Sequence, residues 1–168
     1  SFPEVFASLL FAVIGSILIY NLFSLENPQI SSWKIILGFI LIADVLAGCI
    51  ANFTKGTNNY YAKRAKNRII FITIHIHIIV IALLLDVSLE CSFLIWIYTM
   101  ISAGIVNALK GKVIQGFIAA NLLCYGMFLL IYLSLPIWFL IVSLFFIMKV
   151  IFSFSVDHFN IKESEYID

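Results

Sequence analysis

Charge is scarce in this 168-residue sequence: Asp, Glu, Lys and Arg together make up 11% of it, against roughly 25% in an ordinary soluble domain. Hydrophobic residues reach 63% and the mean hydropathy is +1.11, a balance that excludes a soluble enzyme. The net charge of +1 points to neither a nucleic acid nor an acidic partner. Cysteine is equally sparse. Cys49, Cys91 and Cys124 have no paired metal-ligand spacing and form no even external set for disulfides, so their simplest role is that of a small hydrophobe. Also missing are a phosphate-binding glycine loop, a serine elbow, an HExxH pair and a paired acidic motif of the prenyltransferase kind. No internal repeat or low-complexity tract stands out. The first hydrophobic run has no basic leader and no small-residue cleavage pattern, so it reads as a retained helix rather than a signal peptide; the absent initiator Met suggests a processed start.

What remains is a set of long apolar runs. A helix needs about 18–20 residues to cross roughly 30 Å of hydrocarbon, and six segments qualify: Val5 to Phe23, Trp33 to Phe53, Ile69 to Val87, Phe93 to Leu109, Val113 to Leu133 and Ile137 to Ser155. The expected fold is therefore all-α, a polytopic six-helix transmembrane bundle forming a single domain over residues 1–168. Short connections favour antiparallel neighbours. Lys55, Lys63, Arg64, Lys66 and Arg68 lie between the second and third spans, and Lys110 and Lys112 between the fourth and fifth. The positive-inside rule places these connections, and both termini, in the cytoplasm, with only Lys34 opposing. Asp86, Glu90 and the loop from Ser24 to Ser32 then face outward.

The stretch FITIHIHIIVIALLL, Phe71 to Leu85, places His75 and His77 inside a span. Its first eight residues alternate like a strand, but the run outlasts a barrel strand and is accompanied by five helix-length runs, so helix is the consistent assignment. On a continuous helix the two histidines stand about 200° apart and address different neighbours. The i, i+4 spacing of helical zinc motifs is absent, no metal site is assigned, and bis-histidine haem ligation is disfavoured. The sequence names no cofactor.

On the second span, Ala43, Ala47 and Ala51 recur every four residues beside Asp44, Gly48 and Asn52, giving a narrow face of small and polar groups suited to close helix packing. Asp44 differs, because a carboxyl at membrane depth usually faces the bundle interior with a partner. Counted from the basic connection, Asp44, His75 and His77 all lie roughly 12–15 Å deep, so an antiparallel hairpin can set an imidazole against the acid. Thr99, Ser102, Asn107, Gln115, Asn121 and Lys149 add polar groups at similar or shallower depth. Lys149 either snorkels to the interface or turns inward to neutralise Asp44. Trp33, Trp96 and Trp138 read as lipid-facing or interfacial.

These residues predict a polar cavity in the inner half of the bundle. Asp44 and His75 are the candidate proton-carrying or catalytic pair. His77, Asn52, Asn121 and Lys149 are candidate ligand-binding groups, and Tyr60, Tyr61, Arg64 and Arg68 at the mouth are placed to grip an anionic headgroup or phosphate. The plainer reading makes the tyrosines interfacial anchors and the cations topology signals. Asn52, Phe53 and Thr54 match a glycosylation sequon, but a cytoplasmic position argues against its use. An Asp–His pair suits a proton relay, acid–base catalysis or half of a metal site. The leading expectation is a proton-linked permease or carrier of a small polar or amphiphilic ligand. The alternatives are an intramembrane lipid-modifying enzyme and a noncatalytic assembly or immunity-like protein. Membrane lipids are the expected partners, with homodimerisation through Gly/Ala faces a further option.

Overall fold

The computed structural model describes residues 1–26 and 28–159. Six helices in it are long and apolar enough to cross a membrane, and no strand occurs among the described residues. The protein is thus an all-α, multi-pass membrane bundle. Its helices are α1 (Phe2–Leu25), α2 (Ser32–Ala51), α3 (Lys55–Ala62), α4 (Ala65–Ile74), α5 (His77–Leu84), α6 (Leu89–Ala108), α7 (Gln115–Tyr132) and α8 (Ile137–Ile147), the last continued by a π-helical segment, Met148–Phe154. α4 and α5 together make the third span, and α8 with the π segment makes the sixth.

Without water there is no hydrophobic drive between helices, so close approach and backbone satisfaction decide the packing. α1 lies along α2, where a Cβ on Gly15 would stand only 2.8 Å from Leu46 Cδ1. α2 then packs on α5, α5 on α6, and α6 on α7. The sixth span fills the middle, touching α1, α2, α6 and α7; 61% of it is buried, against 17% of the first. Its residues Phe139, Val142, Phe146 and Val150 have no solvent exposure. Several hydroxyls inside the helices bond back one turn, as Ser8 does to Glu4 O, Ser92 to Ser88 O and Thr99 to Ile95 O, which satisfies them without a partner helix, whereas Ser153 donates across to Cys49 O at 2.6 Å.

Two spans depart from regular geometry. The third breaks after Ile74 although it contains neither proline nor glycine. His75 has φ −77° and ψ 66°, and Ile76 N–H donates to Ile74 O at 2.8 Å, the geometry of an inverse γ-turn. Its cause is the imidazole. His75 Nδ1 binds the carbonyl of Phe71, the acceptor that its own backbone N–H would use in an unbroken helix, and that N–H moves to Ile72 O at 3.3 Å. A side chain inserted into the ladder is a recognised source of kinks. The sixth span widens into the π segment at Met148, and Ser155 Oγ donates five residues back to Val150 O at 2.7 Å. Wide turns of this kind occur most often at functional sites.

The basic connection is ordered as α3. Thr54 caps it, Oγ1 accepting from Thr57 N–H at 3.4 Å. Tyr61 turns inward against Phe71 and Phe154, whose rings stack 3.6 Å apart.

Candidate functional site: a shared carboxylate beside two helix irregularities

α2 carries Asp44, the start of α5 carries His77, and the π segment carries Lys149. The three converge. Lys149 Nζ donates to Asp44 Oδ2 at 2.8 Å and to Asp44 O at 3.2 Å, while His77 Nε2 lies 3.4 Å from the same Oδ2. Lys149 is buried, with 3% of its side chain exposed, whereas 54% of the Asp44 side chain is open at the flank of the bundle and His77 lies between at 23%. Gly48, one turn beyond Asp44, makes room for the lysine: a Cβ there would stand 2.5 Å from Lys149 Cε and 2.8 Å from Nζ.

Asp44 therefore meets an imidazole of the neighbouring span at matching height, but the imidazole is His77. His75, the expected partner, is buried and tied to Phe71 O. Its ring lies 5.0 Å from that of His77, centroid to centroid, so the two are not on opposite sides of a helix. The γ-turn resets the rotation between them, which a continuous helical projection does not allow for. Lys149 takes the inward of its two expected orientations. The acid can hold a proton in place of the ammonium hydrogen bond, and His77, whose Nδ1 is buried without a hydrogen-bond partner, can relay one.

Other sequence-selected residues separate from this centre. Arg68, expected at a mouth, is 1% exposed. Its Nε donates to Asn107 Oδ1 and one Nη to Ser155 O, each at 2.7 Å, and the guanidinium lies 5.5 Å from the Phe154 ring centroid. The physical reason is the end of the sixth span, whose last carbonyls need donors. Gln115 also donates to Ser155 O at 3.0 Å, Asn58 Nδ2 to Val156 O at 2.9 Å, and His158 Nε2 to the carbonyls of Phe152 and Ser153 at 3.2 Å. Lys110 Nζ adds a hydrogen bond to Ala62 O. Where the sequence suggests an inner cavity, these residues build a packed polar floor.

Asn121 bonds within its own helix, Nδ2 to Phe117 O at 2.9 Å, and is remote from the acid in sequence and packing, since α7 lies against α6 and the sixth span. Asn52 is buried with Nδ2 unpartnered, which also rules out glycosylation in this fold. Tyr60 and Arg64 stay exposed and pair with each other, the guanidinium 4.0 Å from the ring centroid. Trp138 does not face lipid: it is 1% exposed, and its Nε1–H donates to Glu26 Oε2 at 3.1 Å. Among the described residues, no group of three or more His, Cys, Asp or Glu is placed to hold a metal ion. The sequence gives no sign of the helix break or the π segment; it places Gly48 on a face suited to close packing but does not show that Lys149 fills the space. Comparison with protein-family models, curated proteins and solved structures finds no match, which leaves the chain's own chemistry as the ground for a functional reading.

Proposed function

We propose that the protein is a proton-linked carrier of a small polar or amphiphilic solute, with the basic connections facing the cytoplasm. The observation supporting this is the sharing of Asp44 Oδ2 between Lys149 and His77 beside a broken helix and a π segment. Asp44 accepts and releases the proton, His77 is the relay in the role expected of His75, and Lys149 is the counter-ion. Protonation of Asp44 leaves the Lys149 ammonium buried without its opposite charge, a state disfavoured by several kcal/mol in a fully dry site and less beside a half-open carboxyl. Relief comes from moving the lysine or the helix that carries it. Interrupted helices are where transport proteins place such centres.

The lipid-modifying alternative, which pairs Asp44 with either histidine, has one favourable feature, the opening of Asp44 toward the bilayer flank; with His75 tied to Phe71 O, its imidazole too would be His77. The test uses proteoliposomes loaded with a pH-sensitive dye and challenged with a panel of small polar and amphiphilic solutes. A solute that drives internal pH change in the unmodified protein, and does so at least about tenfold more slowly in Asp44→Asn, supports the carrier. Proton movement unchanged in both Asp44→Asn and His77→Gln overturns it.

A further inference from the structure

A cavity of about 400 Å³ lies at the opposite end of the bundle from the polar floor, between the α1–α2 loop, the α5–α6 turn and the α7–α8 turn. That is within the usual range for small-molecule sites. Its floor is apolar and buried: Phe23, Leu85, Leu135 and Trp138 are each at most 9% exposed. The floor is also closed toward Asp44, since Leu85 packs on α2 where a Cβ at Gly38 would lie 2.9 Å from its Cγ. At the rim stand Glu26 and Asp86, and none of the described residues lining the cavity is basic. Glu26 is held at the edge of the indole, where it accepts the Trp138 Nε1–H hydrogen bond. Asp86 sits in the left-handed region at φ 58°, a conformation that Asp and Asn tolerate better than other side chains.

We propose that this cavity binds a small organic ammonium ion, its alkyl groups on the apolar floor and its charge facing Glu26 and Asp86. The wall chemistry sets the class. An anion meets two carboxylates at the exposed rim, and a neutral molecule gains no charge attraction from them. Calcium or magnesium requires six or more converging oxygens, which an apolar floor does not offer, and no group of three or more His, Cys, Asp or Glu among the described residues is placed to hold a softer metal ion. The site is separate from the Asp44 centre and stands whether or not that centre exchanges protons.

The test compares two probes of matching shape, choline and its neutral isostere 3,3-dimethyl-1-butanol, at constant ionic strength. The reporter is Trp138 emission in reconstituted protein carrying Trp33→Phe and Trp96→Phe. Choline is expected to give a saturable change, with the neutral isostere at least about tenfold weaker because it lacks only the charge. Glu26→Gln keeps an acceptor for the Trp138 N–H, and Asp86→Asn keeps a residue suited to the turn. Together they are expected to weaken choline by about tenfold or more. Absence of saturation with choline, equal binding of the two probes, or choline binding that survives the double variant would each overturn the proposal. The probe comparison on unaltered carboxylates decides the matter even if the double variant fails to fold.

Discussion

Among the described residues two cations are buried, Arg68 and Lys149, and their surroundings are opposite. Arg68 is 1% exposed and pairs with neutral acceptors, the side chain of Asn107 and the carbonyl of Ser155, under an aromatic ring. Its charge is permanent, and its partners have no proton to exchange. Lys149 is 3% exposed and pairs with a carboxylate that is half open and within reach of an imidazole. Every group there can change charge. The first arrangement is a fixed tie that closes the end of the sixth span; the second is a junction whose hydrogen bonds depend on where one proton sits. A buried charge is thus no mark of function by itself. The distinction lies in whether its partner titrates and whether a proton can reach it.

The largest expected effect breaks the fixed tie. Arg68→Met removes two hydrogen bonds to a charged donor, each worth about 1.5–3 kcal/mol, and leaves Ser155 O with Gln115 alone. A loss of about 3–5 kcal/mol should appear in reversible unfolding from mixed micelles. Arg68→Lys should recover only part of it, because one ammonium does not reproduce the two-pronged geometry.

Next in size is the junction. Asp44→Asn strands the buried ammonium and should cost about 2 kcal/mol, below the 3–5 kcal/mol of a fully buried pair because Asp44 is half exposed. Adding Lys149→Met should restore most of that stability without restoring proton-linked activity. A double-mutant cycle checks this: a coupling energy near zero would remove the ion pair as an energetic unit. No comparable rescue is expected for Arg68, whose partners are backbone and amide.

A smaller effect tests the cradle. Gly48→Ala places a methyl on the Lys149 stem and should reduce stability by about 1 kcal/mol, as overpacking does, while slowing any proton-linked activity more than it destabilises. Gly116→Ala, on a helix surface with nothing within 4 Å of the added carbon, should be neutral or slightly stabilising.

The smallest concerns pH at the fixed end. Burial holds the His158 imidazole below its ordinary range, partly offset by the carbonyls of Ser153 and Phe152. The unfolded chain therefore binds the proton more readily than the folded one. Stability is fully present above the ordinary histidine range and declines as pH falls through it. His158→Gln should flatten that dependence, measured as a change in melting temperature between neutral and mildly acidic buffer.

Much of this was legible from the sequence, and the part that was not has two physical origins. Six apolar lengths mark six helices because the hydrocarbon thickness leaves little choice. The matching heights of Asp44 and His77 on adjacent spans follow from counting 1.5 Å per residue. Direction around a helix axis is less secure, because it rests on an unbroken ladder of hydrogen bonds. At His75 the ring replaces a backbone donor, the chain turns at Ile76, and the register that separates His75 from His77 is lost. The same weakness affects Lys149, since a π turn shifts the side chains that follow it, and nothing in MKVIFSF announces one. Arg68 misled for a different reason. It sits among exposed cations in sequence, and only the distant Ser155 and Asn107 reveal that it is the one drawn inside. Trp138 likewise needs Glu26, 112 positions away, before its indole N–H has a reason to be buried.

The most direct measurement is the infrared absorption of the Asp44 carboxyl in reconstituted protein, followed as the buffer is acidified. The account predicts a protonated-carboxyl band that grows reversibly with acid, disappears in Asp44→Asn and moves to higher pH in Lys149→Met, where the competing ammonium is gone. A spectrum in which Asp44→Asn removes nothing at any pH compatible with the folded bundle would contradict it.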